Sequence, residues 1–293
     1  MAEHVTIVEV GPRDGLQAEP AIVATADKIA LVDLLSATGL TRIEAASFVN
    51  PARVPQMADG AAVMAGIARR PGIRYAALAP NLRGLEAAEA AGADEIAIFA
   101  SASESFSRAN INCSVAESLA RFAPVLAAAR RPVRAYVSCI TDCPFEGRVA
   151  PGAVLALARR LHEMGCHEIC LADTIGRAEP ATLAQVLDLV TAELPPARLA
   201  GHFHDTGGRA LDNISTALGY GLRIFDSAVG GLGGCPFAPG ASGNVATGAV
   251  VAHLAALGFE TGIAEAPLAR AAELALRLTG RRPDGAANQS PDA

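Results

Sequence analysis

VTIVEVGPRDGLQ (5–17) opens with six residues of strand character and breaks at once into a turn built from glycine, proline and aspartate. No Gly-x-Gly-x-x-Gly fingerprint follows this first strand, which argues against an open, doubly wound nucleotide-binding sheet. Working outward, the same unit recurs. Strands are expected at 5–10, 41–48, 74–79, 95–100, 133–139, 168–174, 197–205 and 224–230. Helices are expected near 25–38, 53–70, 82–91, 114–130, 151–165, 180–193, 207–220 and 242–257, with Gly39, Gly92, Gly165 and Gly221 at helix ends and Ser114 as a cap. Eight strand–helix units in about 260 residues predict an α/β fold, a closed (β/α)8 TIM barrel, and leave 263–279 as an extra C-terminal helix. Residues 1–280 are read as one barrel domain, and the polar tail 281–293 as disordered.

Half of the 293 residues are apolar, enough for a sizeable core. A net charge of −6 without a basic stripe excludes nucleic acid as a partner. No apolar run approaches the roughly 20 residues of a membrane span, and the first ten residues lead directly into a strand, so neither a membrane nor a targeting segment is expected. The six cysteines lack a secreted-domain framework, and neither Cys139/Cys143 nor Cys166/Cys170 has zinc-knuckle spacing. A reducing cytoplasm is the expected location.

In a barrel, chemistry belongs where strands end, in the loops of the C-terminal face. His202 and His204 lie two apart on the seventh strand and share a side, while Leu199, Gly201 and Phe203 face the helices. Two neutral imidazoles so placed can hold one metal ion; a pair of ordinary core histidines is the alternative. Asp14, in the first turn, offers a hard carboxylate, and Arg13 a fork of donors for a developing oxyanion. Glu44 should face the interior, where a carboxylate needs a partner, and Arg13 is the expected one; a purely structural ion pair fits equally. Asp173 and Thr174 end the sixth strand, where a turn or cap is the competing role. The glycine-rich stretch 229–244 reads as a lid carrying Cys235, whose thiol could deliver a proton or could simply be exposed. Asn244 could cap the following helix or give its amide oxygen to a metal. One carboxylate, two imidazoles and one amide, without thiolates, suit Mg2+ or Mn2+ better than zinc.

GPRDGLQ (11–17), IEAASFVNP (43–51), VPQMAD (54–59), NINCS (110–114), YVSC (136–139), CPFEG (143–147), ADTIG (172–176), HFHDT (202–206) and GLGGCPFAPGASGN (231–244), in this order, resemble the hydroxymethylglutaryl-CoA lyase family. The resemblance implies a metal-dependent TIM-barrel lyase that splits 3-hydroxy-3-methylglutaryl-CoA into acetyl-CoA and acetoacetate. It implies a divalent cation on Asp14, His202, His204 and Asn244. Arg13, Asp14, Glu44, Asp173, His202 and Cys235 match catalytic positions, Arg13, Gln17 and Thr174 are expected to bind the acyl-CoA substrate, and a homodimer or larger homo-oligomer is expected. Two stretches depart from the usual pattern: Phe203 between the histidines, expected to be a packing change on the helical side, and Gly207-Gly208-Arg209 beside the metal site, which puts the acyl group in question and makes a longer branched 3-hydroxyglutaryl-CoA the alternative substrate. A condensing synthase and a non-catalytic barrel are weaker alternatives.

Overall fold

A computed structural model of the protein describes residues 2–235 and 238–281, and the side chains of those residues outside 235–242. Eight parallel strands close into a barrel: β1 (Thr6–Glu9), β2 (Arg42–Ser47), β3 (Arg74–Leu78), β4 (Glu95–Ser101), β5 (Val133–Ser138), β6 (Glu168–Asp173), β7 (Leu199–Phe203) and β8 (Ile224–Ser227). Each strand neighbours the next, and β8 returns to β1 with Thr6 opposite Ile224 and Glu9 opposite Ser227. Around it lie α1 (Thr25–Leu35), α2 (Gly60–Gly66), α3 (Leu82–Ala90), α4 (Glu104–Ile111), α5 (Val115–Ala128), α6 (Pro151–Glu163), α7 (Pro180–Glu193), α8 (Ala210–Gly219) and α9 (Thr247–Ala256); α10 (Glu265–Thr279) is the additional C-terminal helix. The expected fold is the observed one.

Local chemistry sets the boundaries. Ser114 closes a capping box with Glu117 at the start of α5, and Gly39, Gly92, Gly165 and Gly221 take positive φ as chain-reversing glycines. The helix expected across 53–70 is shorter, because Pro55 opens a single 3-10 turn and α2 starts only at Gly60. A helix not anticipated, α4, precedes α5: Ser103 caps it by accepting from the Phe106 N–H at 3.0 Å, and Asn112 ends it at φ 51°. Strand β7 begins at Leu199 rather than 197, since Pro195 and Pro196 impose a 3-10 turn first. No helix among the described residues is long and apolar enough to cross a membrane.

Two packed zones follow from strand alternation. Residues such as Ile96, Ile98, Leu171, Leu199 and Phe203 point outward and join the main core under the helices. Each such fully buried side chain stabilises by about 1.5–3 kcal/mol. Phe203, the departure between the histidines, packs on Phe225 with ring centroids 6.4 Å apart, against a Gly201 where any Cβ would fall 2.8 Å from its ring. Leu78, Ala97, Tyr136, Cys170 and Ala200 form a smaller cluster of their own, on the opposite face of the strands, in the barrel interior. The floor, at the strands' N-terminal ends, is ionic. Arg42 bonds Glu168 and Glu95 at 2.7 Å each, and Arg134 bonds Glu168 at 2.6 Å and Asp226 at 2.5 Å. Charges buried this deeply persist only when paired.

Candidate active site

Val10 leads into a five-residue π-helical turn, Gly11–Gly15, which lifts Arg13 and Asp14 over the barrel mouth. Glycine is required at 11 and 15 by contact: a Cβ would lie 2.6 Å from the Glu9 carboxylate in one case and 2.7 Å from Leu232 Cβ in the other. Arg13 is 6% exposed and donates Nε to Glu44 Oε1 at 2.7 Å, Nη2 to Glu44 Oε2 at 3.1 Å and Nη1 to Asp14 Oδ1 at 2.6 Å. The pairing expected between Arg13 and Glu44 is therefore present. Burial alone would discharge this guanidinium, but the Glu44 and Asp14 charges outweigh it and raise the Arg13 pKa further. Asp14 feels the same contest in reverse: burial pushes it up, while Arg13, both histidines and the Asn244 amide hold it down at about 2.

His202 and His204 emerge side by side from β7, their rings 5.1 Å apart. Ligand atoms of Asp14, His202 and His204 all lie within 4.8 Å of one another. His202 Nδ1 sits 3.1 Å from Asp226 Oδ2, which fixes that nitrogen as the donor and leaves Nε2 as the acceptor. Burial and the neighbouring His202 hold His204 down at about 4, against the pull of Asp14, so it is neutral at physiological pH. Its Nδ1 is buried without a hydrogen-bond partner. A neutral imidazole with an orphaned nitrogen beside a second imidazole and an ionised carboxylate is a donor set that fits a divalent cation.

Asn244 joins this group through a backbone bridge to His204 and donates Nδ2 to Asp14 Oδ2 at 2.9 Å and to the Leu232 carbonyl at 3.2 Å. Helix α9 starts only at Thr247, after Ala246, so the helix-capping alternative for Asn244 falls. Asp173 turns the other way, accepting from the N–H groups of Arg177 at 3.2 Å and Ala178 at 2.9 Å within the loop that follows β6. Burial nonetheless pushes its pKa up to about 6, and nearby Asp142 adds to the rise. The turn-holding role is the one its bonds describe. Thr174 Oγ1 accepts the Cys139 N–H at 2.9 Å, which holds Cys139 in its uncommon left-handed conformation. Gln17 Oε1 is buried with no hydrogen-bond partner, as a residue awaiting a ligand donor would be. Cys235 pairs through its backbone with Ala238 in a short hairpin; its thiol, and the tail 282–293, lie outside the described residues. Arg281, expected in the disordered tail, is instead bonded to Glu19 at 2.7 Å.

Sequence reasoning missed four groups. Arg134 donates Nη1 to Tyr136 Oη at 2.9 Å, Tyr136 donates to Glu44 Oε2 at 2.6 Å, and Asp226 links Arg134 to His202, so a bonded chain runs from His202 around the barrel to Arg13. Burial pushes the Asp226 carboxyl up, but Arg134 and His202 overcome it and hold it far below the usual range. Glu9, fully buried, accepts from the N–H of Gly11 and of Val229 at 2.8 Å each and from Thr247 Oγ1 at 2.6 Å. For Arg134 and Asp226 the signal existed: a charged residue facing the interior of a closed barrel must find a partner, the logic that located Glu44. Glu9 instead lies on the helix side of β1, in register with Ile43 and Ser227, where spacing gives no such signal.

Comparison with known proteins bears on this constellation directly. The HMGL-like family model matches residues 4–275. The cytoplasmic 3-hydroxy-3-methylglutaryl-CoA lyase of Mus musculus is 55% identical over 266 residues, covering 90% of this chain and 78% of that protein. A Pseudomonas aeruginosa protein named 3-hydroxy-3-isohexenylglutaryl-CoA/hydroxy-methylglutaryl-CoA lyase is 54% identical over 266 residues, covering 90% and 89%. The crystal structure of the HMG-CoA lyase from Brucella melitensis superposes with a TM-score of 0.94 at 57% identity, covering 95% of this chain and all of that one.

Proposed function

The chain belongs to the HMGL-like family, and from that premise we propose that it cleaves 3-hydroxy-3-methylglutaryl-CoA to acetyl-CoA and acetoacetate at the barrel mouth. It is a carbon–carbon lyase that uses a divalent cation and takes an acyl-CoA substrate. One observation carries the site assignment: Asp14, His202 and His204 converge beside an Arg13 already fixed by Glu44.

The ligands are assigned as Asp14, His202, His204 and the amide oxygen of Asn244, a set suited to Mg2+ or Mn2+. When bound, the cation supplies Lewis acidity that lowers the pKa of the substrate's C3 hydroxyl. Arg13 receives the thioester oxygen, where negative charge develops as the C2–C3 bond breaks. Three of its N–H groups are held by Glu44 and Asp14, so the guanidinium needs no reorganisation as that charge appears. The C3 hydroxyl proton passes to Asp14 or His202. His202 is the stronger candidate by geometry, because Asp226 on Nδ1 leaves Nε2 as the acceptor, whereas Asp14 is held at about 2. It accepts the proton only in a state where that nitrogen is not itself a ligand. Electrons of the C2–C3 bond form the enolate of acetyl-CoA, acetoacetate departs, and Cys235 is assigned the protonation of C2. Gln17 and Thr174 are assigned to the substrate, Asp173 to holding the loop after β6.

A second substrate stays in view because the Pseudomonas aeruginosa relative is named for an isohexenyl as well as a methyl branch. The exposed Gly207-Gly208-Arg209 turn follows β7 immediately after the histidines, where side-chain size would bear on the branch. We place the protein in the cytoplasm, as the name of the mouse relative has it, and assign it an assembly of two or more copies, for light scattering to read. The test of the reaction is product identification with metal-stripped protein reloaded with Mg2+ or Mn2+. Acetoacetate and acetyl-CoA in equal amounts from hydroxymethylglutaryl-CoA are expected; turnover of only the longer-branched thioester would move the substrate and keep the chemistry. Cys235→Ala should lower kcat by roughly 10²–10⁴ while cation affinity holds.

A further inference from the structure

The C-terminal helix reaches back to the metal centre through one side chain. Gly280 ends α10 at φ 65°, and Arg281 then turns inward, its guanidinium 12% exposed against a Glu19 carboxylate 4% exposed. Nη2 bonds Glu19 at 2.7 Å and the Gly233 carbonyl at 2.7 Å; Nη1 bonds the Gly231 carbonyl at 3.2 Å. Glu19 in turn accepts the Gly233 N–H. The bracketed residue, Leu232, gives its own carbonyl to Asn244 Nδ2. Gly231 and Gly233 have φ of 65° and 119°, conformations that cost little to glycine and that the chain by itself does not enforce. A Cβ at Gly233 would lie 2.7 Å from Asn244 Nδ2 and push that amide out of place.

We infer that Arg281 is a positioning residue of the metal centre: with Glu19 it fixes the Gly231–Gly233 arc, and the Leu232 carbonyl at its middle holds the Asn244 amide in place as a ligand. The inference rests on Asn244 being a ligand, as proposed above. It makes the end of the chain, remote in sequence from the barrel strands, part of the machinery that prepares the cation site.

Mn2+ titration calorimetry of metal-free wild type, R281A, N244A and the double variant tests it. R281A should weaken Mn2+ binding about tenfold, the range seen when a partner that orients a ligand is removed. The double variant should bind no more weakly than N244A alone, because both changes act through one amide. R281A within twofold of wild type, or a loss that multiplies onto N244A, overturns the inference. R281K, which reaches one carbonyl, should fall between wild type and R281A. Should R281A fail to fold, R281K and E19Q each take its place in the same cycle. Hydrogen exchange in the metal-free proteins reads the clamp separately. Amides 231–234 should exchange at least tenfold faster in R281A, and unchanged rates overturn the clamp even if wild type were to bind no Mn2+, a result that would instead sink the metal reading.

Discussion

The floor and the mouth of this barrel both bury charge, yet they answer it differently. At the floor each carboxylate meets a guanidinium: Glu95 with Arg42, Glu168 with Arg42 and Arg134, Asp226 with Arg134. At the mouth, a carboxylate and two imidazoles crowd within 4.8 Å, and a buried nitrogen of His204 has no partner. Charge matched inside the chain is architecture. Ligand atoms that converge around a buried nitrogen left without a partner are a donor set for a cation. Tyr136 and the floor's Asp226 tie Arg134 to Glu44 and His202 at the mouth.

The contrast breaks most sharply at His204. His204→Ala should lower kcat by on the order of 10³-fold and abolish tight cation binding, with Tm shifted by no more than a few degrees. A large Tm loss with the cation still bound would make it a core histidine after all. At the floor the outcome reverses. Arg134→Met removes the partner of Glu168 and Asp226 and should cost about 3–5 kcal/mol of stability in urea unfolding, and activity should fall only as far as His202 loses its anchor. Comparable stability in the variant would mean that the floor charges are not the matched set their geometry describes.

Glu9 gives the smallest effect and sharpens the comparison, because it is buried on the helix side of β1, outside both charged regions, with three neutral donors. Burial outweighs those hydrogen bonds and pushes its pKa up to about 7 from an ordinary 4.5. A carboxyl raised on folding contributes stability that is full below 4.5 and is lost as pH climbs through about 7. Wild type should therefore lose up to about 3 kcal/mol relative to Glu9→Gln between pH 5 and 8. Parallel pH curves for the two proteins would show that Glu9 does not titrate there.

The sequence made the barrel legible because β-branched runs and helical periods alternate with little interruption, and its one missed helix, α4, is short and polar enough to pass for loop. Glu44, His202 and His204 were legible because strand alternation dictates which side chains enter the interior, and Asp14 because it lies in the turn at the end of a barrel strand. Asn244 was half legible: its neighbourhood was clear, but the choice between helix cap and ligand depended on α9 starting at Thr247. Asp173 was placed at the right strand end, while the direction of its carboxylate depends on the N–H groups of Arg177 and Ala178, which no spacing announces. Arg281 reads as tail because the sequence from it onward is polar and contains proline; its partners Glu19, Gly231 and Gly233 are brought to it only by closure of the barrel.

Mn2+ titrated into metal-free protein and followed by electron spin echo spectroscopy tests the account at its centre. One ion per chain, carrying the nitrogen couplings of two imidazoles and no longer held tightly in His204→Ala, is the predicted result. An ion bound without imidazole nitrogen, or no ion bound at millimolar Mn2+, would contradict the assignment of the barrel mouth as the metal centre.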